Sequence, residues 1–98
     1  MAQYTYDYNQ DLLEGAYRKA IQQYLKEKSN LDYYRSSGLP NADLLLTQSQ
    51  LAYTNGDIAY AIHLLNLQQA LSIRQQYLEA LNNYNQSILY LELLTGKN

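Results

Sequence analysis

Apolar residues recur at three- and four-residue steps along nearly the whole chain, the spacing of one face of an α-helix. From about Asp7 to Ser36 that face reads Leu13, Tyr17, Ala20, Tyr24, Leu31 and Tyr34, interrupted only near Lys28. Gly15 lies inside the run and costs about 1 kcal/mol relative to Ala, which favours a helix starting after it. The string Ser36-Ser37-Gly38-Leu39-Pro40 reads as a helix stop and restart. Gly38 suits a left-handed cap, and Pro40, which has no amide to donate, suits a first helical turn. A second helix then runs from about Pro40 to Thr54, with Ala42, Leu45, Leu46, Ser49, Ala52 and Tyr53 on one face.

Thr54-Asn55-Gly56-Asp57 reverses the chain, since Asn55 and Gly56 both tolerate positive φ. Asp57 is placed to cap the next helix, its carboxylate meeting free amides and the positive end of the macrodipole. No glycine or proline follows until Gly96. The pattern therefore predicts one helix of roughly 38 residues, about 57 Å long at 1.5 Å per residue. Ordinary helices average about 11–12 residues, so this one is a strut.

The strut carries two rows. One reads Tyr60, Leu64, Leu67, Leu71, Arg74, Leu78, Leu81, Asn85, Ile88; the other reads Ile62, Leu65, Gln69, Ile73, Tyr77, Ala80, Tyr84, Leu91, Leu94. Their three-four spacing is coiled-coil-like, with Gln69, Arg74 and Asn85 as polar interruptions that set register. A simple hairpin needs one row, so two rows imply neighbours on two sides, as in a layer or barrel. The expected fold is all-α: a long antiparallel helical hairpin of three helices, with breaks near Gly38-Pro40 and Asn55-Gly56. The segments are 1–37, 39–54 and 57–95.

Composition sharpens the picture. The 98 residues allow one domain or a piece of one. Tyrosine supplies all 12 aromatics, and there is no Cys, Trp, Phe or Val, a poor set for strands. A net charge of −2 with 16% charged residues leaves no basic footprint for nucleic acid. Without cysteine there is neither a disulfide nor a thiolate metal site. No apolar leader follows Met1 and no window approaches the ~20 apolar residues of a membrane helix. The abrupt Tyr-rich start suggests a segment of a longer protein.

Leu51-Ala52-Tyr53-Thr54-Asn55-Gly56-Asp57-Ile58-Ala59-Tyr60, Gln69-Ala70-Leu71, Tyr77-Leu78-Glu79-Ala80-Leu81, Tyr84-Asn85-Gln86 and Leu91-Glu92-Leu93-Leu94-Thr95-Gly96 together resemble the C-terminal hairpin of TolC-like outer-membrane efflux proteins. Gly38-Leu39-Pro40-Asn41-Ala42 and Asn66-Leu67-Gln68-Gln69-Ala70-Leu71 are similar to the heavy-metal cation efflux subgroup. The resemblance covers about residues 36–96 and the first helix only loosely. It implies a trimer whose hairpins build a periplasmic tunnel below an outer-membrane barrel. It also implies a tip of Tyr53, Asn55, Gly56 and Asp57 that docks the adaptor protein of an inner-membrane pump in a tripartite, RND-type system. The expected place is the periplasm and outer membrane of a Gram-negative bacterium. One departure stands out: where many members carry acids six and nine positions after the tip glycine, this chain has Ile62 and Leu65, so an acidic gate there is not expected.

Other chemistry is sparse. His63, the one histidine, lacks the co-ligands a metal site needs, and an ordinary packed or surface role is expected. Lys19, Lys26, Glu27 and Lys28 read as a solvated face. Asp7, Asp11 and Glu14 are explained by the macrodipole at the first helix's start. Asp43, Asp57, Glu79 and Glu92 are scattered, and no catalytic set or phosphate loop is present. The expectation is a non-enzyme with no cofactor and no bound metal. An alternative is a tetratricopeptide-like or coiled-coil interaction module, because Ala52-Tyr53-x-x-Gly56-Asp57-x-x-x-Ala61 resembles part of that repeat. Its helices are short, in repeats of about 34 residues, and no break follows Asp57 until Gly96. In isolation, exposed apolar rows of this extent predict self-association into a bundle or dimer.

Overall fold

The computed structural model describes the backbone of residues 2–96 and the side chains of residues 10–96. Met1, Lys97 and Asn98, at the ends of the predicted segments, and the side chain of Asp7 lie outside the described residues. Every regular element among those residues is helical: α1 (Ala2–Tyr33), a π-helical turn (Tyr34–Gly38), α2 (Leu39–Thr54) and α3 (Tyr60–Thr95). The all-α expectation holds, but the expected count of three helices does not. α1, the π turn and α2 form one unbroken arm, and α3 forms the other.

The predicted break at Gly38-Pro40 is thus a correction. Gly38 has φ −61° and ψ −55°, inside the right-handed helical region. Pro40 explains the local geometry. Its nitrogen cannot donate to the Ser36 carbonyl, and its ring would clash with that carbonyl in an ordinary α-turn. Widening the turn removes the conflict: the Leu39 amide reaches back five residues to the Tyr34 carbonyl, the hydrogen bond of a π-bulge. Ser36 Oγ donates to the Asp32 carbonyl at 2.8 Å within the same disturbed turn.

Two helix starts also move. α1 begins at Ala2, so Asp11 and Glu14 lie turns beyond the first, outside the reach of the macrodipole. The helix also runs straight through Gly15. α3 begins at Tyr60, not Asp57; Ala59 occupies the capping position in extended conformation, with no side-chain cap. At the far end Gly96 takes φ 74°, and its amide meets the Glu92 and Leu93 carbonyls.

The arms pack antiparallel. Tyr24 tilts against Tyr84 with ring centroids 5.6 Å apart, Tyr34 Oη donates to Gln76 Oε1 at 3.1 Å, and Ser49 meets His63. Hydrogen bonding with the Tyr24 hydroxyl, followed by burial, raises the Tyr84 phenol above the ordinary tyrosine value. Arg74 and Asp43 pair across the arms at 2.7 Å, both well exposed, so the bond contributes about 0.2–1 kcal/mol. The whole is a rod of 79 × 19 × 17 Å. Leu13, near the end of the paired region, and Tyr17 are both exposed despite their place on the predicted face.

On α3 the row turned to the other arm is His63, Asn66, Ala70, Ile73, Tyr77, Ala80, Tyr84, Ser87, Leu91 and Leu94, all buried or half-buried. From Ile73 onward this follows the second row read from the sequence; nearer the turn it is displaced by one residue. Ile62, Leu65 and Gln69 are exposed there, and His63, Asn66 and Ala70 take their places. Arg74 and Asn85 are exposed as well, so the polar interruptions of the packed row are His63, Asn66 and Ser87. On the first arm the matching row is Ala20, Tyr24, Glu27, Leu31, Tyr34, Gly38, Ala42, Leu45, Ser49 and Ala52. Its steps alternate three and four except at Tyr34, Gly38 and Ala42, where two fours follow each other. The π turn absorbs that extra residue. Without it, everything after Gly38 would rotate by about 100° away from α3.

The core is narrow: Ala20, Leu31, Ala42, Ala70 and Ala80 are its buried apolar residues. Small side chains let the arms approach closely, and Gly38 is buried against the Tyr34 ring of its own arm. A β-carbon there would lie 2.8 Å from Tyr34 Cδ1 and 3.6 Å from Ile73 Cγ2. Gly15 has nothing within 4 Å of that position. The two glycines should therefore respond to alanine with opposite signs. Gly15→Ala is expected to stabilise by about 1 kcal/mol through helix propensity. Gly38→Ala is expected to destabilise by about 1 kcal/mol, because overpacking outweighs the same gain. Urea denaturation of both variants checks the prediction; two shifts of the same sign would contradict it.

Candidate functional site

The turn end of the rod gathers the predicted tip residues over a buried polar layer. α2 ends in a Schellman arrangement. The Asp57 amide bonds to the Ala52 carbonyl at 2.8 Å and the Gly56 amide to the Tyr53 carbonyl at 3.1 Å, the paired closure that requires a left-handed residue after the cap. Gly56 supplies it with φ 79°. Asn55 remains right-handed at φ −80°, its amide bonded to Leu51 O at 2.9 Å, so only one of the two expected positive-φ residues is used. Asp57 is exposed at the apex and does not cap α3. Tyr53, Asn55, Gly56 and Asp57 are thus brought together and are all solvent-accessible.

Tyr53 is anchored from below. Its ring stacks on the His63 imidazole with centroids 5.0 Å apart and planes within 2°, and it tilts against Tyr60 at 5.7 Å. His63 is only 6% exposed. Its Nδ1 lies 2.7 Å from Ser49 Oγ, and Ser49 Oγ accepts from Asn66 Nδ2 at 3.1 Å. The hydroxyl accepts from Asn66 and shares a second hydrogen bond with His63 Nδ1, whose direction depends on the imidazole tautomer. The result is a hydrogen-bonded chain of Asn66, Ser49 and His63 that spans both arms. From the sequence, Asn66 entered only as the first residue of the string similar to the heavy-metal subgroup, and both His63 and Asn66 lay off the two rows. The available signal was the polar pair His63 and Asn66 three residues apart, facing a serine across the turn.

A serine oxygen 2.7 Å from an imidazole nitrogen is also the spacing of a nucleophile and its base. Here Ser49 is 3% exposed, and its oxygen is already occupied by His63 and Asn66. The arrangement orders the tip. Among the described residues, no group of three or more His, Cys, Asp or Glu side chains is placed to hold a metal ion, and no helix is long and apolar enough to cross a membrane. A second polar layer lies farther down, where buried Glu27 accepts from Gln23 Nε2 at 2.6 Å beside Asn83 and Ser87.

The chain matches no protein-family model, no curated protein and no solved structure.

Proposed function

We propose that this chain is the periplasmic helical-hairpin segment of an outer-membrane efflux channel component in a tripartite, RND-type export system, with heavy-metal cations as cargo. It forms part of a tunnel wall, docks the adaptor protein at the Gly56 turn and performs no chemical step. The observation that carries this reading is the pair of rows on α3. The partner arm covers one of them, while Leu64, Leu71 and Leu78 of the other are 39%, 59% and 61% exposed. A helix with one row paired and another open is what a wall element requires, because its remaining neighbours come from other hairpins. The ordered turn, with Tyr53 held by His63, is the docking end. On this reading the segment belongs to the periplasm of a Gram-negative bacterium and to a trimer in its full-length context.

The test is made at Gly56 in the full-length protein. A β-branched residue at φ 79° is strongly disfavoured, so Gly56→Val should distort the apex. Cross-linking to the adaptor is expected to fall about tenfold, equivalent to about 1.4 kcal/mol of binding, with metal tolerance reduced in parallel. Gly56→Asn, which tolerates the left-handed region, should retain most of both. Unchanged cross-linking and unchanged efflux in Gly56→Val would overturn the proposal. The exposed leucines also suit a plain helical interaction module. That reading predicts no dependence of export on Gly56.

A further inference from the structure

The two flanks of the rod differ in chemistry. Along one, where the arms meet, lie Ile21, Leu39 and Leu46 of the first arm and Leu67, Leu81 and Ile88 of α3, all half-buried. Leu25, Leu64, Leu71 and Leu78 extend this flank outward, each substantially exposed. Near the turn it includes an open groove lined by Leu46, Thr47, Gln50, Leu51, Thr54 and Leu67. The opposite flank presents Gln23, Asn30, Gln48, Gln69, Gln76 and Asn83, all exposed. Ile62 and Tyr90, seven residues from Gln69 and Asn83, end that row with exposed apolar surface, and Leu44 and Leu65 reach it at outer corners.

We infer that the apolar flank is a homodimer interface, which a second copy of this chain covers flank to like flank about a two-fold axis. The inference is made for this chain by itself, where no neighbouring hairpin of a tunnel covers the flank. Desolvation sets the symmetry. Head-to-tail packing would press the amide row of one copy against the leucines of the next, burying side-chain donors and acceptors without partners. Like-with-like packing buries only the apolar flank and leaves the amides in water. It also closes the assembly at two, because an isologous contact uses the same patch on both copies.

The face is of interface size. The length shared by both arms is about 54 Å for α3 at 1.5 Å per residue. Multiplied by the 17 Å depth of the rod, it bounds the projected face at about 900 Å² per copy, of the order of the ~800 Å² per partner of a standard stable interface. Arg74 and Asp43, which border this flank, neutralise one another at 2.7 Å, while Lys28 and Arg35, seven and fourteen residues after Ile21, bring exposed charge to its first-arm side.

Sedimentation equilibrium of the whole chain from about 1 to 100 μM, a range that spans typical dimer affinities, is the experiment. The expected species has twice the 11.4 kDa chain mass. Leu71→Glu with Leu78→Glu should weaken dimerisation by about a hundredfold. Gln76→Glu with Asn83→Glu, on the amide flank, should leave it within about threefold. Circular dichroism on each variant separates dissociation from unfolding, and the milder pair Leu71→Gln, Leu78→Gln repeats the test should the glutamates disturb the helix. A monomer throughout the concentration range, a trimer or open-ended assembly, or equal weakening by the two flank pairs would each overturn the inference.

Discussion

Leu31→Ala is expected to destabilise the chain by about 3 kcal/mol, within the 2–5 kcal/mol range of fully buried leucines. Leu31 is 1% exposed and is the one large side chain among the described residues that is fully enclosed. The other buried apolar residues are alanines, which fill the gap between the arms without reaching across it. The arms are rigid helices already held close by Ala20, Ala42, Ala70 and Ala80, so they have little freedom to collapse into the space that Leu31 leaves. For a chain of this size each kcal/mol corresponds to about 4–8 °C in Tm, so thermal melting followed by circular dichroism should fall by at least about 12 °C. Leu93→Ala, at 71% exposure, should shift stability by less than about 0.5 kcal/mol. Near-equal melting of the two variants would show that the arms do not enclose Leu31.

The buried polar layer should give the second large effect. His63→Ala removes the surface on which Tyr53 stacks and deprives the Ser49 hydroxyl of its imidazole partner. An unsatisfied buried polar group costs about 1–3 kcal/mol, and the lost packing raises the expected total to about 3 kcal/mol. Ser49→Ala orphans the imidazole nitrogen in the same way. Replacing both at once, Ser49→Ala with His63→Leu, removes donor and acceptor together and should cost clearly less than the sum of the single changes. A coupling of about 1–2 kcal/mol in a urea-denaturation double-mutant cycle is the expected reading. Strict additivity would mean that the 2.7 Å pair contributes nothing to the fold. The same layer ties the exposed Tyr53 to the core, so the His63 variant should also lose adaptor cross-linking if the turn is the docking end.

The turn was the most legible part of the chain. Gly56 is needed because its backbone must be left-handed, a requirement that local sterics impose and that neighbouring residues announce. The helical nature of the arms was legible for a similar reason: the three-four spacing and the shortage of strand formers are local properties. The candidate site was only half legible. Tyr53, Asn55, Gly56 and Asp57 followed from the turn, but the layer that orders them did not. His63 and Asn66 lie on neither row read from the sequence, and Ile62 and Leu65 offered a more hydrophobic alternative one residue away. Burial there is determined by hydrogen bonds to Ser49 across the turn, which hydrophobicity does not register.

The sequence by itself determined that the chain is all-α, that it reverses at Asn55-Gly56 and that α3 runs unbroken to Gly96. Each follows from interactions within a few residues. Only the tertiary structure decided what Gly38-Leu39-Pro40 does and which row of α3 is packed. The local chemistry of a proline after a glycine serves a helix stop and a π turn equally well. The choice falls to the π turn because the rows on either side of it, Ala20 to Tyr34 and Ala42 to Ala52, must face the same straight helix. One residue of phase, about 100°, separates a continuous arm from one whose second half would turn its packed row away from α3.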